Sequence, residues 1–102
     1  MRLPHVPDWA APVWHLFVVR HPRRDELQQH LTGRGIQTLI HYPIAPFDQQ
    51  AYAGYGLDPA NYPISRTIHA NCLSLPISAT HTTAEIDYVC DAVAAFFAAN
   101  QN

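Results

Sequence analysis

Short apolar runs separated by polar segments dominate the pattern of this chain. The longest, VWHLFVVR at residues 13–20, carries β-branched and aromatic side chains on both faces, which predicts a strand covered on both sides. Residues 36–41, IQTLIH, and residues 72–76, CLSLP, are shorter runs of the same kind. Each of these two ends at or near a proline, so the pattern predicts three short strands.

Other segments carry helical signals. Residues 21–35 combine an early proline and two acids with Leu27 and Leu31 on one face, which predicts a helix that ends at a glycine. A second, shorter helix is predicted to begin at Pro63 and to run to about residue 71.

The last segment predicts an amphipathic helix. Thr82 and Glu85, three residues apart, form a capping box at its start. Apolar residues then recur at helical spacing and predict its buried stripe. The stripe consists of Ile86, Val89, Cys90, Val93 and Phe97.

The order of these elements predicts an α+β fold. We expect a small antiparallel or mixed sheet of about three strands, with helices packed mainly on one face. Residues 1–12 contain three prolines and no apolar period, which predicts an extended linker, and residues 13–102 form the domain. Residues 47–63 are rich in turn formers and predict a loop.

The composition indicates a domain that something else partly covers. Hydrophobic residues make up 48% of the 102 residues and charged residues only 14%, against about 25% in a typical soluble domain. Six arginines and eight acids give a net charge of −2, so neither nucleic acid nor an anionic membrane is an expected partner. No leader-type segment and no apolar run of ~18 residues is present, and we expect a cytoplasmic protein.

The two cysteines and the lack of lysine limit the available chemistry. Cys72 and Cys90 lie far apart and outside any C-x-x-C pattern, which predicts reduced, buried thiols. The sequence contains no lysine. A Schiff base with a carbonyl compound needs a side-chain amine, so this chain alone cannot form one.

Several polar and aromatic residues give weak functional signals. Seven histidines occur without a tight ligand spacing, so no metal site is predicted, and no serine lies on a G-x-S-x-G elbow. His15 has apolar neighbours in a predicted strand, which favours a hydrogen-bonded core histidine. Tyr52, Tyr55 and Tyr62 either pack their loop down or stack on a nucleobase or sugar, and packing is favoured.

His41 and Tyr42 are the candidate binding residues. They end the second predicted strand and are followed by Pro43 and Pro46. In the local interpretation, proline lacks an N–H, stops the ladder and forces a turn. In the functional interpretation, an imidazole and a phenol at a strand end reach a ligand instead of a neighbouring strand.

Three stretches together resemble a known family. They are VWHLFVVRHPRRDELQQHLTGRGIQTLIHYPI, QQAY and NCLSLPI, followed by the capped final helix. Together they resemble the carboxyl-terminal small domain of the DegT/DnrJ/EryC1/StrS aminotransferases. The resemblance implies a nucleotide-linked keto-deoxyhexose as substrate, in deoxyamino-sugar or lipopolysaccharide biosynthesis. It also implies that pyridoxal phosphate and its Schiff-base lysine belong to a large domain absent from this sequence.

The resemblance further implies the roles of individual residues. It places His41 and Tyr42 at the sugar pocket and assigns no catalytic residue to this chain, which is expected to be inactive alone. Phe47 and Asp48 stand where family members commonly have histidine and leucine. If that histidine contacts the substrate in the family, the contact is missing here. The large domain or a second copy is expected to cover the exposed apolar face. The alternative is a stand-alone α+β module that binds a partner protein or a small metabolite.

Overall fold

The computed structural model describes residues 1–99. Within this range the elements are β1 (Phe17–Arg20), α1 (Arg24–Thr32), α2 (Pro63–Asn71), β2 (Cys72–Leu75) and α3 (Thr83–Ala99). Short 3-10 helices at Pro46–Asp48, Gln50–Tyr55 and Pro59–Asn61 fill the turn-rich segment between α1 and α2. The α+β class predicted from the sequence is confirmed.

The two strands form an antiparallel pair that divides the molecule into two sides. Val19 lies opposite Leu73, and Val18 lies opposite Ser74. Because side chains alternate along a strand, the first pair points to one face and the second pair to the other. Val19 and Leu73 are buried in the core with residues of α1 and α3. These two helices therefore cover one face, and Ser74 lies on the opposite face.

The third predicted strand is reduced to a single bridge. Leu39 exchanges two backbone hydrogen bonds with Ser74, with N–O distances of 3.2 and 2.7 Å. On one side of this bridge the next position of the ladder is Pro76, which has no N–H. On the other side the Cys72 N–H donates to the Ile68 carbonyl at the end of α2. The described residues therefore form a two-stranded sheet with an added bridge instead of about three strands.

β1 begins at Phe17 rather than at Val13. Its partner β2 ends at Leu75, opposite Phe17, so no residue of β2 lies opposite residues 13–16. Val13 is consequently 92% exposed. His15 is exposed as well, so the prediction of a core histidine at this position is wrong.

α3 buries a stripe that differs from the predicted one. Its core-facing residues are Val89, Ala92, Val93, Phe96 and Phe97. Two members of the predicted stripe, Ile86 and Cys90, are exposed. Ala92 carries a weak hydrophobic signal in the sequence, but it is fully buried in the core that α3 shares with α1.

The first 12 residues contain no helix or strand and meet the sheet at one position. Arg2 exchanges two backbone hydrogen bonds with Arg20 at the edge of β1, at 2.8 and 2.9 Å. The role of this segment as a linker between domains remains a prediction.

The predicted capping box is present at the start of α3. The Thr82 N–H and hydroxyl donate to Glu85 Oε2 at 2.8 and 3.0 Å, and the Glu85 N–H donates to Thr82 Oγ1 at 3.2 Å. These two bonds from Thr82 hold the pKa of Glu85 below its ordinary value.

Replacing Thr82 with alanine is expected to destabilise the chain by about 1 kcal/mol at neutral pH, because the cap is lost. A carboxylate whose folded-state pKa is lowered stabilises the fold above its unfolded pKa, and this contribution is lost as the pH falls through the folded pKa. The difference between wild type and Thr82→Ala should therefore shrink in acid. Urea unfolding at several pH values measures it, with Thr83→Ala as the control. A difference that stays constant with pH would contradict the role of Glu85.

The two cysteines lie in different environments. Cys72 is 2% exposed at the start of β2, whereas Cys90 is exposed on α3. The prediction of two buried thiols is therefore right for Cys72 and wrong for Cys90.

We expect a thiol reagent to modify one cysteine in the native chain and two after unfolding, because only the Cys90 thiol is accessible in the fold. Absorbance titration with the reagent measures the number of reactive thiols. Cys90→Ser should abolish labelling of the native chain. Native labelling that persists in this variant would show that Cys72 is accessible.

Candidate functional site beside the second strand

His41 is held beside β2 by the backbone bridge between Leu39 and Ser74. Alternate residues of an extended segment point the same way, so His41 faces the same side of β2 as Ser74. The His41 Nδ1 atom lies 2.8 Å from Ser74 Oγ, which is a hydrogen bond. Ser74 is 5% exposed, whereas His41 is half-buried and its Nε2 atom bonds to no residue within 1–99.

Tyr42 is held through its backbone, and its ring projects outward. The Tyr42 carbonyl accepts a hydrogen bond from His69 Nδ1, in the last turn of α2, at 2.6 Å. The Tyr42 side chain is 65% exposed, and its ring meets the His41 ring edge-on with the centroids 5.4 Å apart. The two predicted site residues therefore lie together, and the Tyr42 hydroxyl makes no hydrogen bond within the described residues.

Arg24 secures the junction of α2 and β2 on which both site residues depend. Its side chain is largely buried, and Nη1 donates to the carbonyl oxygens of His69 and Cys72 at 3.2 and 3.0 Å. Its Nε donates to Asp25 Oδ1 at 2.6 Å. Sequence reasoning missed this residue, because charged residues at the start of a helix are typical of a solvated face.

A groove of about 670 Å³ lies against His41 and Ser74. Its lining brings together His15, His41 and His81, which are far apart in the sequence. The sequence pattern gave no indication of a role for His81, whose Nδ1 atom is buried without a partner among the described residues. None of the groove residues within 1–99 is Asp, Glu, Lys or Arg. A ligand would therefore meet imidazole and hydroxyl groups, which hydrogen-bond without a fixed charge.

The aromatic residues of the 3-10 segment do not line this groove. Phe47 stacks on Tyr62, with ring centroids 5.3 Å apart and planes inclined by 9°. Tyr52 meets Tyr55 at a tilt, with centroids 5.6 Å apart. These rings therefore contact each other in pairs while Tyr52, Tyr55 and Tyr62 stay exposed, and packing of the loop by these residues remains a prediction.

Neither a group of metal ligands nor a membrane-spanning helix occurs within residues 1–99. No three or more histidine, cysteine, aspartate or glutamate side chains in this range are grouped so that they could hold a metal ion. None of its helices is long and apolar enough to cross a membrane.

The fold and motifs agree with one protein family. The model of the DegT/DnrJ/EryC1/StrS aminotransferase family matches residues 1–94. The chain therefore belongs to this family, and the resemblance based on its motifs is confirmed. Aminotransferases of this family use pyridoxal phosphate.

Individual relatives are similar to this chain over a limited part of their length. The erythromycin biosynthesis sensory transduction protein EryC1 of Saccharopolyspora erythraea is 45% identical over 85% of this chain and 24% of its own length. The dTDP-3-amino-3,6-dideoxy-alpha-D-galactopyranose transaminase of Aneurinibacillus thermoaerophilus is 46% identical over 91% of this chain and 25% of its own length.

A solved structure also matches this chain over a limited part of its own length. The crystal structure of S. venezuelae DesV in complex with a ketimine intermediate matches 93% of this chain and 26% of its own, with a TM-score of 0.89 and 41% identity. The chain thus spans about a quarter of the proteins that it matches.

Proposed function

We propose that residues 13–102 form the carboxyl-terminal small domain of a pyridoxal-phosphate-dependent aminotransferase that acts on a nucleotide-linked keto-deoxyhexose. Residues 1–12 would link it to the large domain. The match to a quarter of the A. thermoaerophilus enzyme, whose name specifies a dTDP-linked amino sugar, carries this proposal. The reaction belongs to deoxyamino-sugar biosynthesis, as for lipopolysaccharide, and its setting is the cytoplasm.

His41 and Tyr42 are the proposed substrate-binding residues. Their side chains adjoin or line a groove without a charged residue, and both keep hydrogen-bonding atoms that no residue within 1–99 occupies. An imidazole and a phenol can each donate or accept a hydrogen bond, which suits the hydroxyl and phosphate oxygens of a sugar nucleotide. We assign no catalytic residue to this chain.

The residues of this chain do not fit an anchor for pyridoxal phosphate. Enzymes that use this cofactor hold it as a Schiff base on a lysine, and the sequence contains none. The proposal therefore gives the cofactor to the large domain and makes this chain inactive alone.

We expect this chain to gain no cofactor on a side chain when it is mixed with pyridoxal phosphate and reduced with borohydride, because it offers no lysine amine. Mass spectrometry with peptide mapping measures the adduct and separates side chains from the amino-terminal amine. The full-length A. thermoaerophilus transaminase, treated in the same way, is the positive control. A side-chain adduct that disappears when one residue is replaced would overturn the expectation.

Apolar side chains at the groove support a covering partner. Leu16 and Leu39 line it and are 37% and 64% exposed. Exposed apolar surface of this kind favours association with another surface. The proposed cover is the large domain of the same enzyme or a second copy of the chain.

A domain exchange tests the proposed function. Residues 1–102 replace the matching quarter of the A. thermoaerophilus transaminase, and we expect the hybrid to aminate the dTDP-keto-sugar of that enzyme. The same transaminase without this quarter is the negative control. A folded hybrid that binds pyridoxal phosphate but aminates no dTDP-keto-sugar would reject the function and favour the stand-alone binding module.

A further inference from the structure

Burial decides which member of the pair Ser74 and His41 donates the hydrogen bond. Ser74 is 5% exposed, and the only hydrogen-bond partner of its hydroxyl within residues 1–99 is His41 Nδ1, at 2.8 Å. A buried hydroxyl without an acceptor for its hydrogen is costly, so such groups are rarely left unpaired. The Ser74 hydroxyl therefore donates, and His41 Nδ1 accepts.

The tautomer of His41 follows from this bond. A neutral imidazole carries one N–H, so a ring that accepts at Nδ1 has its hydrogen on Nε2. Nε2 has no partner within the described residues, and His41 lines the groove. We infer that Ser74 is a positioning residue that holds neutral His41 as the Nε2–H tautomer, so that His41 presents a hydrogen-bond donor to the ligand.

This inference rests on the proposed function where it concerns the ligand, and it narrows the ligand's chemistry. A donor at Nε2 requires an acceptor oxygen, either on the sugar or on the diphosphate of a sugar nucleotide. It leaves no lone pair on His41 to receive a hydrogen from a hydroxyl group. Ser74 thereby makes His41 selective for acceptor oxygens.

His69 provides a control with the opposite tautomer. Its Nδ1 lies 2.6 Å from the Tyr42 carbonyl oxygen, which can only accept a hydrogen bond. His69 must therefore carry a hydrogen on Nδ1. Two histidines at the same edge of the molecule are expected to show opposite tautomers when both are neutral.

Long-range proton–nitrogen NMR of this chain, with its histidines labelled with nitrogen-15, tests the inference while both rings are neutral. We expect the nitrogen shifts of His41 to show a hydrogen on Nε2, and those of His69 to show it on Nδ1. In Ser74→Ala the two His41 shifts should move toward each other as the tautomers mix, and in Ser74→Thr they should return. The His69 shifts should stay unchanged in both variants.

A His41 ring that carries its hydrogen on Nδ1 in the wild-type chain would overturn the inference, whether or not the variants fold. Unchanged His41 shifts in a folded Ser74→Ala would overturn it as well. Because this readout needs no sugar nucleotide, its result is independent of the domain exchange. If NMR shows the Nε2–H tautomer of His41 but the hybrid enzyme is inactive, the inferred tautomer stands and only the proposed function is rejected.

The ligand side is tested in the hybrid enzyme with dTDP and with the dTDP-keto-sugar. We expect Ser74→Ala to bind these ligands about two- to tenfold more weakly than Ser74→Thr, because it lacks the neutral hydrogen bond from residue 74 that positions His41. A loss seen with both ligands places the acceptor on the diphosphate, and a loss confined to the sugar nucleotide places it on the sugar. Equal affinity of the two variants for both ligands would overturn the inferred selectivity of His41 for acceptor oxygens.

Discussion

Replacing Arg24 with methionine is expected to lower the free energy of unfolding by about 3 kcal/mol. The variant loses two hydrogen bonds from a charged donor, each taken at about 1.5 kcal/mol, the lower end of the usual range. The guanidinium donates to the carbonyl oxygens of His69 and Cys72, where α2 ends and β2 begins. Methionine keeps much of the apolar stem but leaves these carbonyls without that donor. A loss of this size is a large part of the 5–15 kcal/mol that stabilises a typical domain.

Urea unfolding of the chain measures the effect of Arg24→Met. The matched control is Arg66→Met on the exposed surface of α2, which should change stability by no more than about 0.5 kcal/mol. Arg24→Met should also weaken the hold on Tyr42, because His69 bonds to its carbonyl. An Arg24→Met chain as stable as the control would show that the buried guanidinium does not secure this junction.

The sequence predicts the elements whose signals are local. Pro63 begins α2, the pair Thr82 and Glu85 caps α3, and CLSL forms β2. Each of these signals depends on the backbone preference or hydrogen bonding of residues close in the chain. The structure confirms all of them for this reason.

The failed predictions depend on contacts between distant segments. The third strand is lost because the Cys72 N–H is used by Ile68 and because Pro76 has no N–H to offer. The sequence around Leu39 does not reveal that these two groups of the β2 segment are unable to bond to it. The phase of α3 is likewise set by the approach of α1, which buries the small Ala92 and leaves Ile86 exposed.

The candidate site also combines residues that have a local sequence signal with residues that only the fold brings to it. His41 and Tyr42 were found from the sequence because a strand-like run stops at two prolines, and their binding role remains a proposal. Ser74 and His69, which hold them, lie about 30 residues further on and reach them only through the fold. Histidine spacing along the chain could not predict that His81 joins His41 at one groove.

We propose above that His41 and Tyr42 face the sugar nucleotide in an aminotransferase. In the active hybrid enzyme, His41→Ala should reduce specificity for the keto-sugar by up to about tenfold, the effect of one neutral hydrogen bond of 0.5 to 1.5 kcal/mol. The half-reaction with the amino donor should be spared, because the proposal assigns that chemistry to the large domain. Tyr42→Phe should cost a similar or smaller amount, since it removes only the hydroxyl.

Two single-turnover titrations, one for each half-reaction, test the proposed role of His41 and Tyr42. The variants are His41→Ala and Tyr42→Phe, with the exposed His5→Ala as the matched control and a thermal melt to check folding. We expect a loss confined to the keto-sugar half-reaction, with the control unchanged. Equal losses in both half-reactions, or a large fall in melting temperature with His41→Ala, would show that His41 is a structural residue at the end of its segment.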